Sequence, residues 1–477
     1  MSSHISKNIF WLTASRALAL VFLFLAYTRL FRYLGPYFSG QYQFVLSYVL
    51  IFATVVDFGI QQFITKQISE HPDEAKKYFQ NFFTFEILAA SVLYGVLVFL
   101  AYVKGYDREV FYAICLAGLG LVSNALTYPY LAVMAAFQDM RKVALINFIN
   151  SLVNIAVIFS AIIFKKHIVF LAGIQLAFGI IDLVLYRIFI KKHLPEPEVL
   201  KAVFRFDPRL VWGILKQGWP FALLVGFSAI YNRIDVLLIT FLKGYEQTGF
   251  YTAAYKVFDL LSFFPAAVSY TLFPYFAGLI AKNAFSEVRG SLEKYLKLML
   301  MVALPMAVGG MILAPKIINL VAGAEYAAAG PVLAILIWAP AILFVYIPVN
   351  ALVISQLTKK AMVITGANVL INLAGNLLLI PILGIKAAAI MTIVSEAMQG
   401  GFYFYFVKKN VTDFSVASHL PKLVLAVAVM GAALWPVKDF SLFVALPVGT
   451  AAYALMLAML GLLKAADIKS AAALFKT

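Results

Sequence analysis

Thiols are almost absent from this sequence. Cys115 is the one cysteine, which excludes an intrachain disulfide framework and a thiolate metal site. Charge is scarce too: Asp, Glu, Lys and Arg make up 13% of the 477 residues, against roughly 25% in soluble domains. No G-x4-G-K-[ST] run occurs, so ATP hydrolysis by this chain is not expected. No catalytic constellation, metal site or cofactor site is legible, and none is expected. What the sequence has in plenty is apolar surface: 63% of residues are hydrophobic and the mean hydropathy is +0.92. Only a polytopic membrane protein fits such a chain.

Windows of about 20 apolar residues, the length needed to cross a bilayer, fall near 9–30, 43–65, 82–103, 110–136, 143–164, 168–190, 213–241, 248–277, 295–314, 328–355, 361–383, 387–407, 420–436 and 441–463. The expected fold is therefore all-α with about 14 transmembrane helices. The first window outruns a signal-peptide h-region of about 7–15 residues and no small-residue cleavage site follows it, so it is read as a retained span. The net charge of +16 does not require nucleic acid. With the N-terminus inside, 24 of the 38 Lys and Arg residues fall on the cytoplasmic side, 9 on the other and 5 within spans. That bias obeys the positive-inside rule and places both termini in the cytoplasm. Every outward loop is short, leaving no room for an extracytoplasmic catalytic domain.

The sequence repeats itself. "LGPYFSGQY" carries Gly35, Gly40 and Tyr42, and "KGYEQTGFY" carries Gly244, Gly249 and Tyr251, each 209 positions on. Gln138, Lys142, Asn150 and Asn154 likewise match Gln356, Lys360, Asn368 and Asn372 at an offset of 218. Two six-helix copies of like orientation follow, related by an axis along the membrane normal, the anatomy of an alternating-access transporter. The expected boundaries are a lobe over 1–190, a basic cytoplasmic linker over 191–216, a second lobe over 217–407, and two further helices with a cytoplasmic tail over 408–477, with a central cavity between the lobes.

"SRALALVFLFLAYTRLFRYLGPYFSGQYQFVLSYVLIFATVVDFGI" resembles the first two spans of the polysaccharide (O-antigen, Wzx-type) flippases of the multidrug/oligosaccharidyl-lipid/polysaccharide (MOP) superfamily. It has their Ser-Arg early in span one, their LGP-x3-G-x-Y turn and their DFG closing span two. "NRIDVLLITFLKGYEQTGFYTAAYKVFDLLSFFP" resembles spans seven and eight, and "NLLLIPILGIKAAAIMTIVSE" the eleventh-to-twelfth junction. The resemblance implies a carrier that moves a polyprenyl-pyrophosphate-linked saccharide from the cytoplasmic to the outer leaflet of the cell (inner) membrane. It also implies a cationic cavity, and a groove for the prenyl tail on the two appended helices.

Charges inside the spans are the candidate site residues, because an arginine at a helix centre costs roughly 2.5–3.5 kcal/mol on insertion. Arginine also grips phosphate oxygens bidentately. Arg16, Arg233 and, nearer the outer end, Arg29 are the candidate cavity cations; Arg187 reads as an interfacial anchor. The alternative reading for Arg16 is a structural pair with a carboxylate such as Asp57. Asp235, a further candidate coupling or ion-pair carboxylate, lies two residues from Arg233 and cannot share its direction. Asp57, Asp182 and Glu396 have no base one turn away, so each either binds a coupling proton or sodium ion or answers a distant arginine. Glu396 is the coupling candidate and Asp57 the arginine partner. Lys256 and Asp259, three apart, are expected to neutralise each other, and the paired asparagines to glue helices together. Two other readings stay open: a cation-coupled multidrug exporter of the same superfamily, which would favour carboxylates over arginines, and a membrane glycosyltransferase or polymerase, which would need a larger outward loop.

Overall fold

A computed structural model describes residues 2–57, 59–194, 206–415 and 419–462. Outside the described residues lie the side chains of Arg16 and Asp57, residues 195–205 of the expected linker and residues 463–477 of the expected tail. Among the described residues every regular element is helical: α1 (Ser2–Asp57), α2 (Ile60–Glu70), α3 (Ala75–Lys104), α4 (Arg108–Ala136), α5 (Met140–Ile163), α6 (Ile168–Ala172), α7 (Ile174–Ile190), α8 (Pro208–Lys243), α9 (Tyr245–Ala281), α10 (Phe285–Val321), α11 (Ala329–Leu336), α12 (Trp338–Gln356), α13 (Thr358–Leu383), α14 (Ile385–Asn410), α15 (Leu420–Leu434) and α16 (Leu442–Met459).

Each of the fourteen expected windows is helical over most of its length. Ten helical stretches among the described residues are long and apolar enough to cross a membrane. The first two windows merge in one of these ten, Leu20–Glu70. Windows seven, eight and twelve, which are α8, α9 and α14, are not among the ten; α14 interrupts its apolar run with Ser395, Glu396 and Gln399. Large apolar side chains crowd the outer surface, Ile382 at 76% and Phe443 at 91% exposure. Such a surface would aggregate in water and is at home in hydrocarbon.

By packing the chain divides into Met1–Gly249 and Phe250–Thr477; the lobe boundaries expected at 190 and 217 are a reading of the sequence repeat. In the first unit, α1, α3 and α7 pack on α4. The core there joins Phe63 and Ile64 of α2 to Phe79 and Phe82 of α3 and to Tyr130 of α4; Phe79 meets Tyr130 edge-on at 5.0 Å between centroids. In the second unit, Leu292 and Leu296 of α10 pack with Phe344 and Leu352 of α12 and Tyr403 of α14. The appended hairpin α15–α16 lies on α10 through Leu313, Leu423, Met430 and Leu434, and the Tyr453 hydroxyl donates to the Met301 carbonyl at 2.9 Å.

Candidate functional site

Glycine turns set where the helical segments that carry Arg16, Arg29 and Arg233 end. α1 breaks at Gly35, with φ 68° and ψ 175°, and α8 ends at Gly244, with φ 86° and ψ 175°. The two repeat-related glycines share one conformation, which residues with a Cβ rarely adopt. Just beyond them, Gly40 lies against the Tyr245 carbonyl and Gly249 against the Pro36 carbonyl. Around this contact Tyr37, Phe44 and Tyr245 pack ring to ring, with centroids 5.7–5.8 Å apart, and Thr240 and Thr248 share a buried hydroxyl–hydroxyl bond of 2.8 Å.

Arg16 lies within α1, as expected for a residue of the first span. Arg29 is exposed on the same helix, and Arg187 is exposed in the last turn of α7. Arg233 is half-buried on α8, while Asp235, two residues on, is only 4% exposed and accepts from the Val236 amide at 2.8 Å. Both Arg233 and Asp235 make further polar contacts. On α9 Lys256 Nζ stands 3.7 Å from Asp259 Oδ2.

The carboxylates Asp182 of α7 and Glu396 of α14 have hydrogen-bond partners that spacing along the chain did not disclose. Asp182 accepts from Asn150 Nδ2 at 2.7 Å, tying α7 to α5. Buried Glu396 accepts from the Tyr346 hydroxyl at 2.6 Å, tying α14 to α12. Around it Asn368 Nδ2 donates to Gln399 Oε1 at 3.1 Å, Asn372 Nδ2 to Ser395 Oγ at 2.9 Å and Asn376 Nδ2 to Asn372 Oδ1 at 3.0 Å. Three of the four paired asparagines thus bind helix to helix, Asn150 to Asp182, Asn368 to Gln399 and Asn372 to Ser395, whereas the buried Asn154 Oδ1 has no hydrogen-bond partner among the described residues. Sequence reasoning also missed Lys297, counted with the loop-side cations; it is 8% exposed among the leucines of α10. Among the described residues no group of three or more His, Cys, Asp or Glu side chains could hold a metal ion.

The loop ends of the two units repeat a second device. Lys142 forms an ion pair with Asp139 at 2.7 Å and lies over the Phe189 ring, 5.5 Å from its centroid. Lys360, its counterpart, lies 4.7 Å over the Phe406 ring and donates to Asn410 Oδ1 at 3.1 Å. In the first unit His193 stacks on Phe137 at 4.7 Å and reaches Asp139 at 3.3 Å. Burial alone would raise the Asp139 carboxyl; the hydrogen bonds and charges of Lys142 and His193 outweigh it and hold the carboxyl below its usual range.

A family described as "Polysaccharide biosynthesis protein" matches residues 5–280, more than half of the chain. The chain belongs to that family. Its similarity to a "Probable low-salt glycan biosynthesis flippase Agl15" of Haloferax volcanii is 24% identity over 403 residues, 82% of this chain and 80% of that protein. Among solved structures, a lipid II flippase MurJ in an inward closed conformation superposes with a TM-score of 0.76 at 15% identity, covering 94% of this chain and 98% of that one. An inward-facing multidrug resistance MATE family transporter of the MOP superfamily superposes at 0.59 and 13% identity, covering 86% and 94%. This member of the polysaccharide biosynthesis family is thus a multi-pass membrane protein with the fold of MOP-superfamily transporters. The Haloferax volcanii relative and these two fold neighbours carry the names of flippases and a transporter, not of enzymes.

Proposed function

We propose that this chain is a flippase that carries a polyprenyl-pyrophosphate-linked oligosaccharide from the cytoplasmic to the outer leaflet by alternating access, for polysaccharide biosynthesis at the cell membrane. Membership of the polysaccharide biosynthesis family carries this reading. The likeness to a protein named a glycan biosynthesis flippase, and a fold resemblance that is fuller to a lipid II flippase than to a multidrug transporter, support it. The substrate has a wet anionic head and a very apolar tail. The head needs a polar, cationic path, while the tail can stay in lipid. Arg16 and Arg233 are the residues proposed to receive the pyrophosphate, with Arg29 as a more outward contact. Asp182 or Glu396 would couple the cycle to a proton or sodium ion; Asp57 and Asp235 would hold arginines in place.

The test is native mass spectrometry of the protein purified with its own lipid. An adduct with the mass of a polyprenyl-pyrophosphate saccharide, lost in Arg16→Ala while the variant remains inserted, is the expected result and identifies the sugar. Retention of ordinary phospholipids alone, with displacement by cationic dyes, would replace this reading with the multidrug exporter. Transport that survives Arg16→Ala would make that arginine structural.

A further inference from the structure

In the first unit α1, α3 and α8 leave a cavity of about 490 Å³, lined by Val55, Phe85, Ala89, Trp212, Leu215 and Lys216. That size lies within the roughly 300–1,000 Å³ of small-molecule sites. Its place follows from one hydrogen bond. The Asp207 amide, at the start of α8, donates to Asn81 Oδ1 of α3 at 2.6 Å, and the Asp207 carboxylate caps α8 by accepting from the Arg209 amide at 2.9 Å. From that junction the two helices run side by side. Phe85 and Ala89 come about one and two turns along α3; Trp212 and Lys216 come about one and two turns along α8.

The lining is apolar except for Lys216, and Trp212, four residues earlier, shares its face of the helix. Trp212 is 68% exposed and Lys216 is exposed; no carboxylate among the described residues pairs with it. Lys216 sits about 13 Å along α8 from Asp207, at 1.5 Å per residue. That is where the seventh apolar window begins on the side of the basic loops. Tryptophan belongs at the headgroup level of a bilayer, and lysine reaches that level with its stem in hydrocarbon. An apolar slot closed at the interface by one unpaired ammonium matches an amphiphile with an apolar chain and an anionic head.

We propose that this slot binds an anionic phospholipid of the leaflet on the basic-loop side, one acyl chain running inward past Phe85, Ala89 and Leu215 and its phosphate at the level of Trp212, where the Lys216 ammonium reaches it. The slot has about the room of a single acyl chain, and its lining, apolar but for Lys216, offers the hydroxyls of a saccharide headgroup no set of hydrogen-bond partners. The inference requires only that the chain sits in a bilayer, so it stands apart from the proposed transport.

Trp212 supplies the readout. In a full-length variant with Trp11, Trp219, Trp338 and Trp435 replaced by phenylalanine, brominated acyl chains quench Trp212 alone. In phosphatidylcholine vesicles, dibrominated phosphatidylglycerol should quench at about one-fifth the mole fraction that dibrominated phosphatidylcholine needs, the factor expected for one lysine facing an anionic lipid. Lys216→Gln should remove that preference and leave quenching by phosphatidylcholine unchanged; Ala89→Phe should fill the slot and weaken quenching by phosphatidylglycerol. Equal quenching by the two headgroups, or a preference that survives Lys216→Gln, overturns the proposal. So does displacement of phosphatidylglycerol by an equal or smaller fraction of polyprenyl phosphate, which would assign the slot to a prenyl chain. Should the four-fold variant fail to fold, native mass spectrometry decides with the unaltered protein: phosphatidylglycerol retained by the wild type and lost from Lys216→Gln supports the site, and equal retention overturns it.

Discussion

Gly40 rests on the backbone of Tyr245 while Gly249, its counterpart 209 positions on, rests on the backbone of Pro36, the counterpart of Tyr245. The two repeat-related turns therefore touch through each other's glycine. The obstacle facing each missing Cβ is a carbonyl group of main chain, which cannot swing aside as a side chain can. Gly40→Ala and Gly249→Ala are each expected to destabilise the protein by about 1–3 kcal/mol, the usual result of overpacking. The double variant should lose less than the sum, because either methyl alone already parts the turns. Gly95→Ala, which meets nothing within 4 Å, is the neutral control. Thermal melting in detergent reads all four, and a wild-type melt for Gly249→Ala would refute the close contact.

The bond from Asn150 to Asp182 and the bond from Asn368 to Gln399 occupy matching places in the two units. Interhelical hydrogen bonds in membranes average about 0.6 kcal/mol and reach about 2. Asn368→Leu should fall in that range. Asn150→Leu should cost more, because it leaves a carboxylate rather than an amide without its donor. If melting ranks the two variants equally, Asp182 has another donor in the native state.

Glu396 is the coupling residue only if its charge matters to transport. Glu396→Gln keeps an oxygen to accept from Tyr346, which now bonds the carboxylate at 2.6 Å, so the variant should fold. In proteoliposomes it should abolish any dependence of lipid flipping on a proton or sodium gradient, whereas Tyr346→Phe should only shift it. Gradient dependence retained in Glu396→Gln would assign the carboxylate to helix packing.

The features legible in the sequence were those with a local cause. A glycine needed for φ near 70–90° shows itself as a glycine, so the turns at Gly35 and Gly244 could be read and paired, and hydropathy marked the helices. The side-chain partnerships were not legible. Tyr346 lies 50 positions from Glu396, and nothing in a spacing of one helical turn points to it. The offset also slips by one, from 218 between Asn150 and Asn368 to 217 between Asp182 and Gln399, which hides the matching bonds from a fixed-offset comparison. Lys297 reads as a loop-side cation because it stands at the very start of the apolar window 295–314, yet α10 starts twelve residues earlier, at Phe285, and Lys297 is buried on it.

The loop-end cluster of Asp139, Lys142 and His193 gives a pH dependence whose direction can be derived. Asp139 titrates lower in the folded protein than its ordinary value of 3.8. A group with a depressed folded pKa binds protons more readily when unfolded, so its contribution to stability is complete above 3.8 and is lost as pH falls through the lower folded value. At pH 7 Asp139→Asn should therefore melt below the wild type, because it loses the ion pair with Lys142 and the contact with His193. Toward pH 3 the two melting temperatures should converge, the wild-type carboxyl being progressively neutralised there as well. Lys142→Gln should move the wild-type acid transition to higher pH, since it removes a charge and a hydrogen bond that hold the carboxyl down. A gap between wild type and Asp139→Asn that stays constant from pH 7 to pH 3 would mean that the aspartate contributes by its shape and not by its charge.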